Sequence, residues 1–164
     1  MNIFLKINGS NRNLEVRPDE SLLHTLRTAG YLSVKCGCES GGCGTCCVVM
    51  NNEVVNSCLI NSASAEGSEI LTSEGLGTPE SPHAIQKAFS VSGAVQCGFC
   101  TPGFVMATYA LLLRNPDPDE HQIAKALDGN ICRCTGHTKI FDAVRLAAEM
   151  IREGWTAGGH NEKR

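Results

Sequence analysis

The sequence predicts an α+β chain whose N-terminal half is rich in strands and whose C-terminal half is helical. Short strand-like segments separated by turn signals occur early in the chain, and apolar residues at helical spacing follow later. A stretch rich in Gly, Pro, Ser and Thr, Gly75–Ser81, separates the two patterns. We place the domain boundary there, which predicts a first domain at residues 1–76, a second at 77–153 and a flexible polar tail at 154–164.

Two hairpins, one helix and a further short strand are predicted in the first domain. The pairs Asn8-Gly9 and Asn51-Asn52 favour tight turns between flanking strand formers. Apolar residues at helical spacing between the two hairpins predict a helix that Gly30 ends. In chain order, the predicted elements are strands Ile3–Ile7 and Leu14–Val16, a helix opened by Pro18–Glu20, strands Cys47–Met50 and Val54–Ser57, and a strand at Ile70–Thr72.

Four helices are predicted in the second domain. Each is followed by a glycine or by a turn that contains proline, and both are common just beyond helix ends. The predicted helices are Pro82–Ser92, Thr101–Arg114, Asp119–Leu127 and Gly136–Glu153.

Composition excludes several classes of protein. Hydrophobic residues make up 42% of the 164 residues, which is enough to form a core. The net charge of −3 argues against a nucleic-acid-binding protein. The N-terminus has no basic segment followed by a long apolar run, and Phe104–Leu113 is about half the length of a membrane span. We therefore expect a cytoplasmic protein without a membrane span.

Ten cysteines are present in the chain. Because cytoplasmic thiols stay reduced, these cysteines are expected to bind metal rather than to form five disulfides. A first set consists of Cys38, Cys43, Cys46 and Cys58. Its opening C-x4-C-x2-C spacing is that of plant-type [2Fe-2S] ferredoxins, in which three thiolates come from one loop and a fourth from a distant segment.

Glycines surround the first set. Gly37, Gly41, Gly42 and Gly44 allow a loop to wrap closely around a cluster, and their N–H groups can point at the sulfur atoms. The alternative is a zinc site with four cysteine ligands. Zinc typically uses two C-x2-C pairs, so the C-x4-C step favours the iron–sulfur interpretation.

A second set consists of Cys97, Cys100, Cys132 and Cys134. Both of its pairs lie at predicted helix ends and could face each other within a helical bundle. Spacing alone leaves zinc and an iron–sulfur cluster about equally supported here, because C-x2-C is also the commonest zinc element. A thioredoxin-like redox pair is less favoured, since no βαβ pattern surrounds these residues.

Cys36 and Cys47 flank the first set and are predicted to be small buried or half-buried thiols rather than ligands. Ligand exchange or redox sensitivity is the alternative for both. The five histidines form no metal-binding motif and are expected on the surface or in packing roles. Among the five, His137 is the strongest candidate for a metal ligand, because it lies three residues after Cys134.

Three segments carry a resemblance to a known family. They are Cys38–Cys46 (CESGGCGTC), Gln96–Gly103 (QCGFCTPG) and Gly129–Gly136 (GNICRCTG). They resemble the small iron–sulfur subunits of the molybdenum hydroxylases, the xanthine dehydrogenase family. The resemblance covers nearly the whole chain, and the last two segments are specific enough to favour a second [2Fe-2S] cluster over zinc.

The resemblance implies the fold and the partners. It implies an N-terminal β-grasp, ferredoxin-like domain and a C-terminal four-helix bundle, each with one [2Fe-2S] cluster. A large subunit would carry molybdopterin, a medium subunit would carry FAD, and the three would form a heterotrimer or a dimer of heterotrimers. The second cluster would lie nearer molybdenum and the first would face the flavin. Gln96 and Cys134 match positions that neighbour the pterin in relatives.

The resemblance also implies electron transfer as the function. Xanthine or another purine is the first substrate expected for the complex. Aldehydes, nicotinate and other N-heterocycles, carbon monoxide and aromatic acyl-CoA thioesters are the alternatives. The apolar helix around Phe104–Leu113 has almost no polar face, so we expect it at the centre of the bundle or beneath the large subunit. A zinc-stabilised binding module and a stand-alone ferredoxin are the competing functions.

Overall fold

The computed structural model describes residues 1–155. Most of the predicted polar tail, at 156–164, therefore lies outside the described residues. The helices and strands are β1 (Asn2–Ile7), β2 (Ser10–Glu15), α1 (Leu22–Thr28), β3 (Cys47–Met50), β4 (Glu53–Asn56), β5 (Glu69–Leu71), α2 (Ala84–Val91), α3 (Thr101–Arg114), α4 (Glu120–Leu127) and α5 (Thr138–Arg152). Short 3-10 helices occur at Ser57–Leu59, Ser62–Ala65 and Ser73–Gly75.

The five strands form one mixed sheet in the order β2-β1-β5-β3-β4. β1 is antiparallel to β2 and parallel to β5, whereas β3 is antiparallel to both of its neighbours. Alternate residues of β1 are buried, and they pack with the apolar face of α1 in one core. A mixed sheet that holds a helix against one face is the predicted β-grasp architecture, and the fold class is confirmed.

Both predicted hairpins are present. Asn8, Gly9, Asn51 and Asn52 all have positive φ, which is the backbone conformation that tight type I′ turns require. The strand ends differ slightly from the prediction. β2 begins at Ser10, four residues before the predicted Leu14, because Asn8 and Gly9 alone form the turn, and it ends before Val16. β4 ends at Asn56, because Ser57 begins the 3-10 helix that carries Cys58, and β5 begins and ends one residue earlier than predicted.

Capping residues explain why several helices begin later than predicted. The first helix begins at Leu22 rather than at Pro18–Glu20, because the Ser21 hydroxyl accepts the backbone N–H of His24. His83 and Asp119 cap α2 and α4 in the same way, each within a capping box. A side chain that bonds to the first helical N–H groups lies outside the helix it caps, so the predicted starts were one to four residues early.

The four C-terminal helices pack around a second core. Its largest buried side chains include Phe89, Phe104 and Ile123, and α5 contributes Ile140 and Val144. This is the predicted four-helix bundle.

α3 also packs against the sheet. Met106 and Ala110 on this helix contact Cys47 and Val49 of β3 in a third buried cluster. α3 is therefore apolar on almost every side because the bundle covers one face and the sheet covers another. No helix within residues 1–155 is long and apolar enough to cross a membrane.

The His83 cap makes the stability of α2 depend on pH. Its Nδ1 accepts the N–H of Ile85 at 3.3 Å, and burial lowers the pKa of this imidazole below its usual 6.5. The unfolded chain therefore binds the proton more readily. The stability from the cap is complete above about pH 6.5 and is lost as the pH falls through the lower pKa of the folded imidazole. Between pH 7.5 and 5.5 we expect wild type to lose more stability than His83→Asn, whose amide caps without titrating.

Thermal unfolding tests this expectation. The midpoint is measured for cluster-loaded wild type and for His83→Asn at both pH values. Acid effects on all other groups cancel in the comparison. Equal pH dependence of the two variants would show that His83 protonation does not weaken the cap.

Candidate metal centres

The first cysteine set gathers at one edge of the sheet. Cys38, Cys43 and Cys46 lie on the loop between α1 and β3, and Cys58 arrives on the 3-10 helix after β4. The thiols lie as two neighbouring pairs, Cys38 beside Cys43 and Cys46 beside Cys58. One glycine-rich loop and one distant segment therefore meet, as the spacing predicts.

The second set gathers at one end of the bundle. Cys97 and Cys100 precede α3, and Cys132 and Cys134 lie between α4 and α5. The Sγ atoms of Cys97 and Cys134 are 3.7 Å apart, and Cys100 lies beside Cys132. Here, too, the four thiols make two pairs.

The paired arrangement bears on which metal the residues fit. A tetrahedral zinc site would hold all four sulfur atoms about 3.8 Å from one another. Within residues 1–155, no three of the eight thiols have their sulfur atoms within 4.8 Å of one another. In a [2Fe-2S] cluster, each iron takes two thiolates, and bridging sulfides separate the pairs. The residues fit two such clusters, and we keep these eight cysteines as the proposed ligands.

Backbone N–H groups point at the sulfur atoms. The N–H of Ser40 donates to Cys38 Sγ at 3.5 Å, and those of Cys134 and Thr135 donate to Cys132 Sγ at 3.4 Å each. Such donors stabilise negative charge on sulfur and help to set the potential of a bound cluster.

The thiol pKa values follow from these surroundings. The Ser40 N–H and the Cys43 thiol lower the pKa of Cys38 to about 6. Burial acts to raise the pKa of Cys132, but hydrogen bonds from Thr135 and Cys134 outweigh it and bring the value to about 7. Burial and the paired thiol raise the pKa of Cys58 to about 11 and of Cys100 to about 12. Because the ligands must be thiolates, metal binding releases the protons that these pairs share.

Two glycines are required by close contacts around the first loop. A Cβ on Gly37 would lie 2.9 Å from Cys43 Sγ and 2.7 Å from Thr45 Oγ1. Gly44 has φ of +69°, and a Cβ there would lie 2.4 Å from the carbonyl oxygen of Gly129. A side chain at either position would push the loop away from its sulfur atoms or from the second domain.

The loops of the two sets are joined directly. The N–H of Ile131 donates to the carbonyl of Cys43 at 3.0 Å, and the buried Asn130 side chain donates to the carbonyl of Gly44 at 2.9 Å. Gly103 at the start of α3 packs against the same Gly44 carbonyl, where a Cβ would lie 2.2 Å from the oxygen. Sequence reasoning missed the roles of Asn130 and Gly103. Their only signal was their place beside the cysteines in the QCGFCTPG and GNICRCTG segments.

His137 supports the second set without acting as a ligand here. Its Nε2 accepts the N–H of Cys132 at 3.4 Å, and its ring packs edge-on against Phe104. Its left-handed backbone, with φ of +68°, turns the chain from the cysteine loop into α5. His137 therefore has one of the roles expected for the histidines, which is packing.

The predicted pterin neighbours lie on one exposed surface. Gln96 and Cys134 are both exposed, and Cys97, which follows Gln96, contacts Cys134. The two extra thiols have the predicted burial, since Cys47 is buried and Cys36 is half-buried. The Cys47 thiol donates to Asn56 Oδ1 at 3.1 Å and accepts from the Asn130 amide at 3.7 Å, and burial raises its pKa to about 12.

Comparison with known proteins identifies the family. Residues 5–74 match the family described as "2Fe-2S iron-sulfur cluster binding domain", and residues 72–145 match the family described as "[2Fe-2S] binding domain". The nicotinate dehydrogenase small FeS subunit of Eubacterium barkeri is 45% identical over 148 residues, which cover 90% of this chain and 94% of that subunit. The chain belongs to the small iron–sulfur subunits of the molybdenum hydroxylase family. The predicted [2Fe-2S] chemistry and the resemblance are confirmed.

Other members of the molybdenum hydroxylase family are equally similar. The xanthine dehydrogenase iron-sulfur-binding subunit of Escherichia coli O157:H7 is also 45% identical, over 84% of this chain and 88% of that subunit. Among solved structures, quinoline 2-oxidoreductase from Pseudomonas putida 86 matches with a TM-score of 0.89 and 39% identity over 94% of this chain and 97% of that one. As a small subunit of this family, the chain is an electron-transfer component of an oxidoreductase.

The Asn130 contact allows a test of how the two cysteine loops are held together. In Asn130→Ala, the Gly44 carbonyl loses one of its two donors and keeps the N–H of Cys47 at 3.2 Å. We therefore expect a loss of about 0.5–1.5 kcal/mol in the free energy of unfolding. Chemical unfolding of the cluster-loaded protein measures this change. Asn11→Ala, on the exposed strand β2, is the matched control and should leave stability unchanged. Equal stability of the two variants would contradict a structural role for the Asn130 amide.

Proposed function

We propose that this chain carries electrons from a molybdenum site on a large partner subunit to FAD on a medium partner subunit. The second cysteine set receives the electrons, and the first set passes them on. The contact between the Cys43 and Ile131 backbones is the observation that carries this proposal. A [2Fe-2S] cluster accepts and releases one electron at a time, so two successive transfers complete each two-electron oxidation.

The short connection between the two sets supports a direct route. Ile131 immediately precedes Cys132, and its N–H bonds to the carbonyl of Cys43 itself. One hydrogen bond and a few covalent bonds therefore link a proposed ligand of one cluster with a proposed ligand of the other. Buried Asn130 and close-packed Gly103 both contact the neighbouring Gly44 carbonyl and hold the two loops together beside this hydrogen bond.

The exposed thiols support a position between two partner subunits. Cys97 and Cys134 are exposed at the free end of the second set, beside Gln96, and Cys38 is exposed in the first. Each set therefore has one side buried toward the other set and one side open to a partner. We assign the side with Gln96 and Cys134 to the molybdopterin subunit and the side with Cys38 to the FAD subunit.

We propose a nitrogen heterocycle as the substrate class of the complex. Relatives named for nicotinate and for xanthine are equally identical to this chain, so they do not favour xanthine over other heterocycles. Xanthine or another purine stays a candidate beside nicotinate. Aldehydes, carbon monoxide and aromatic acyl-CoA thioesters stay alternatives. We also place the complex in the cytoplasm, as a heterotrimer or a dimer of heterotrimers.

Anaerobic mixing of the purified complex with single candidate substrates tests both parts of this proposal. We expect a nitrogen heterocycle to bleach the visible absorbance of the clusters before or together with that of the flavin. If only an aldehyde reduces the clusters and the flavin, the proposed substrate class is wrong but the electron-transfer relay stands. Rapid flavin reduction while the clusters stay oxidised and redox-inactive would contradict the relay itself.

A further inference from the structure

A mixed group of donor side chains lies beside the first cysteine set. His24 on α1 and Cys36 and Glu39 on the following loop bring one ligand atom each within 4.8 Å of the others. Cys36 Sγ lies 2.7 Å from Glu39 Oε1, and His24 Nε2 lies 3.6 Å from the same oxygen. No other three His, Cys, Asp or Glu residues in the described part of the chain are so close together.

We propose that His24, Cys36 and Glu39 form a binding site for a borderline-soft divalent cation such as Zn²⁺, separate from the eight proposed cluster ligands. A thiolate, an imidazole and a carboxylate are the three ligand types that zinc takes in proteins. Three protein ligands leave a fourth position for water, as the partial exposure of the group allows. Ligand atoms of a tetrahedral zinc ion lie roughly 3.3–3.6 Å apart, which the 3.6 Å between His24 Nε2 and Glu39 Oε1 already matches. The 2.7 Å hydrogen bond between Cys36 and Glu39 would lengthen as the thiol loses its proton.

Two features hold the donors in place. The Ser21 hydroxyl lies 3.4 Å from His24 Nδ1, which leaves Nε2 directed at Glu39. A partner on the second ring nitrogen is the usual support of a metal-binding histidine. Glu39 has φ of +55°, an unfavourable conformation for a residue with a Cβ. This turn places its carboxylate over Cys36, on the side of the loop occupied by His24.

A cation bound there would act on the neighbouring cluster. Zn²⁺ would bring two positive charges, and the Cys36 thiol would release its proton to solvent on binding. Because Glu39 directly follows Cys38, a net gain of one positive charge would lie next to the first set. Positive charge favours the reduced cluster, and zinc binding should therefore raise the potential of the first cluster more than that of the second. This consequence rests on the proposed function and ligand assignment, whereas cation binding itself depends only on His24, Cys36 and Glu39.

Titration of Zn²⁺ into the anaerobic, cluster-loaded complex, against a chromophoric competing chelator, tests the site. We expect one zinc per chain in wild type and at least about tenfold weaker binding in His24→Ala and Cys36→Ser. His121→Ala removes an exposed histidine on α4 and is the matched control, which should bind as wild type does. X-ray absorption at the zinc edge should show one sulfur ligand among nitrogen and oxygen ligands.

Several outcomes would overturn the proposal. They are the absence of retained zinc in wild type, unchanged affinity in Cys36→Ser, and release of iron in proportion to added zinc, which would place zinc on the cluster cysteines. Loss of iron in Cys36→Ser before zinc is added would make Cys36 a cluster ligand and would also overturn it. If zinc binds but neither cluster changes its reduction potential, the zinc site stands. The assignment of the first cluster to the cysteines beside that site would then be wrong.

Discussion

Cys132→Ser is expected to stop electrons at the molybdenum subunit while substrate still binds. Serine lacks the thiolate that the second cluster needs, and Cys132 has a lowered pKa because Thr135 and Cys134 donate to it. We expect iron to fall from about four to about two atoms per chain. Flavin reduction by substrate should slow at least ~100-fold, which equals ~2.7 kcal/mol in barrier height.

Stopped-flow spectroscopy of flavin reduction, with iron counted in the same samples, makes this measurement. Cys47→Ser is the matched control, because Cys47 is buried against α3 and lies outside the proposed ligand set. The control should keep all its iron and its rate. Normal flavin reduction in Cys132→Ser would contradict the relay, and iron loss in the control would add Cys47 to the ligands.

Gly103→Ala is expected to destabilise the protein, although alanine is normally the better helix former. The new Cβ would lie 2.2 Å from the carbonyl oxygen of Gly44, which is backbone and cannot rotate away. Overpacking of this kind costs about 1–3 kcal/mol. Each kcal/mol lowers the midpoint of thermal unfolding by about 2–4 °C in a protein of this size. The Cys43–Ile131 contact should open at the same time and slow transfer between the two clusters.

Gly129→Ala provides the matched control for the glycine substitution. A Cβ on Gly129 would meet nothing within 4 Å, and its φ is not positive, so its unfolding midpoint should stay near that of wild type. Thermal unfolding of both cluster-loaded variants decides the matter. A Gly103→Ala protein as stable as the control would mean that the two domains are not held by this contact.

The cysteine positions were predictable because thiolate spacing in a glycine-rich loop is a local property of the chain. The C-x4-C-x2-C spacing selected Cys38, Cys43 and Cys46 from the cysteines of that segment. Hairpin turns were equally local, since an Asn-Gly or Asn-Asn pair adopts positive φ whatever it packs against. The domain limits at 1–76 and 77–153 stay a prediction.

Contacts between the two halves were not predictable in the same way. The Asn130 hydrogen bond and the Gly103 contact join residues far apart in the chain, and no spacing rule encodes them. The apolar character of α3 did indicate burial on all sides. It could not indicate that β3 of the first domain, through Cys47 and Val49, covers one of those sides.

The proposed relay depends on one chain holding two [2Fe-2S] clusters close enough for electron transfer between them. Electron paramagnetic resonance of the complex, isolated anaerobically and reduced, tests this property most directly when iron is counted per chain. We expect two distinct [2Fe-2S] signals and about four irons. A single signal with about two irons and one zinc would contradict the relay, because the helical domain would then hold a structural metal and could pass no electron.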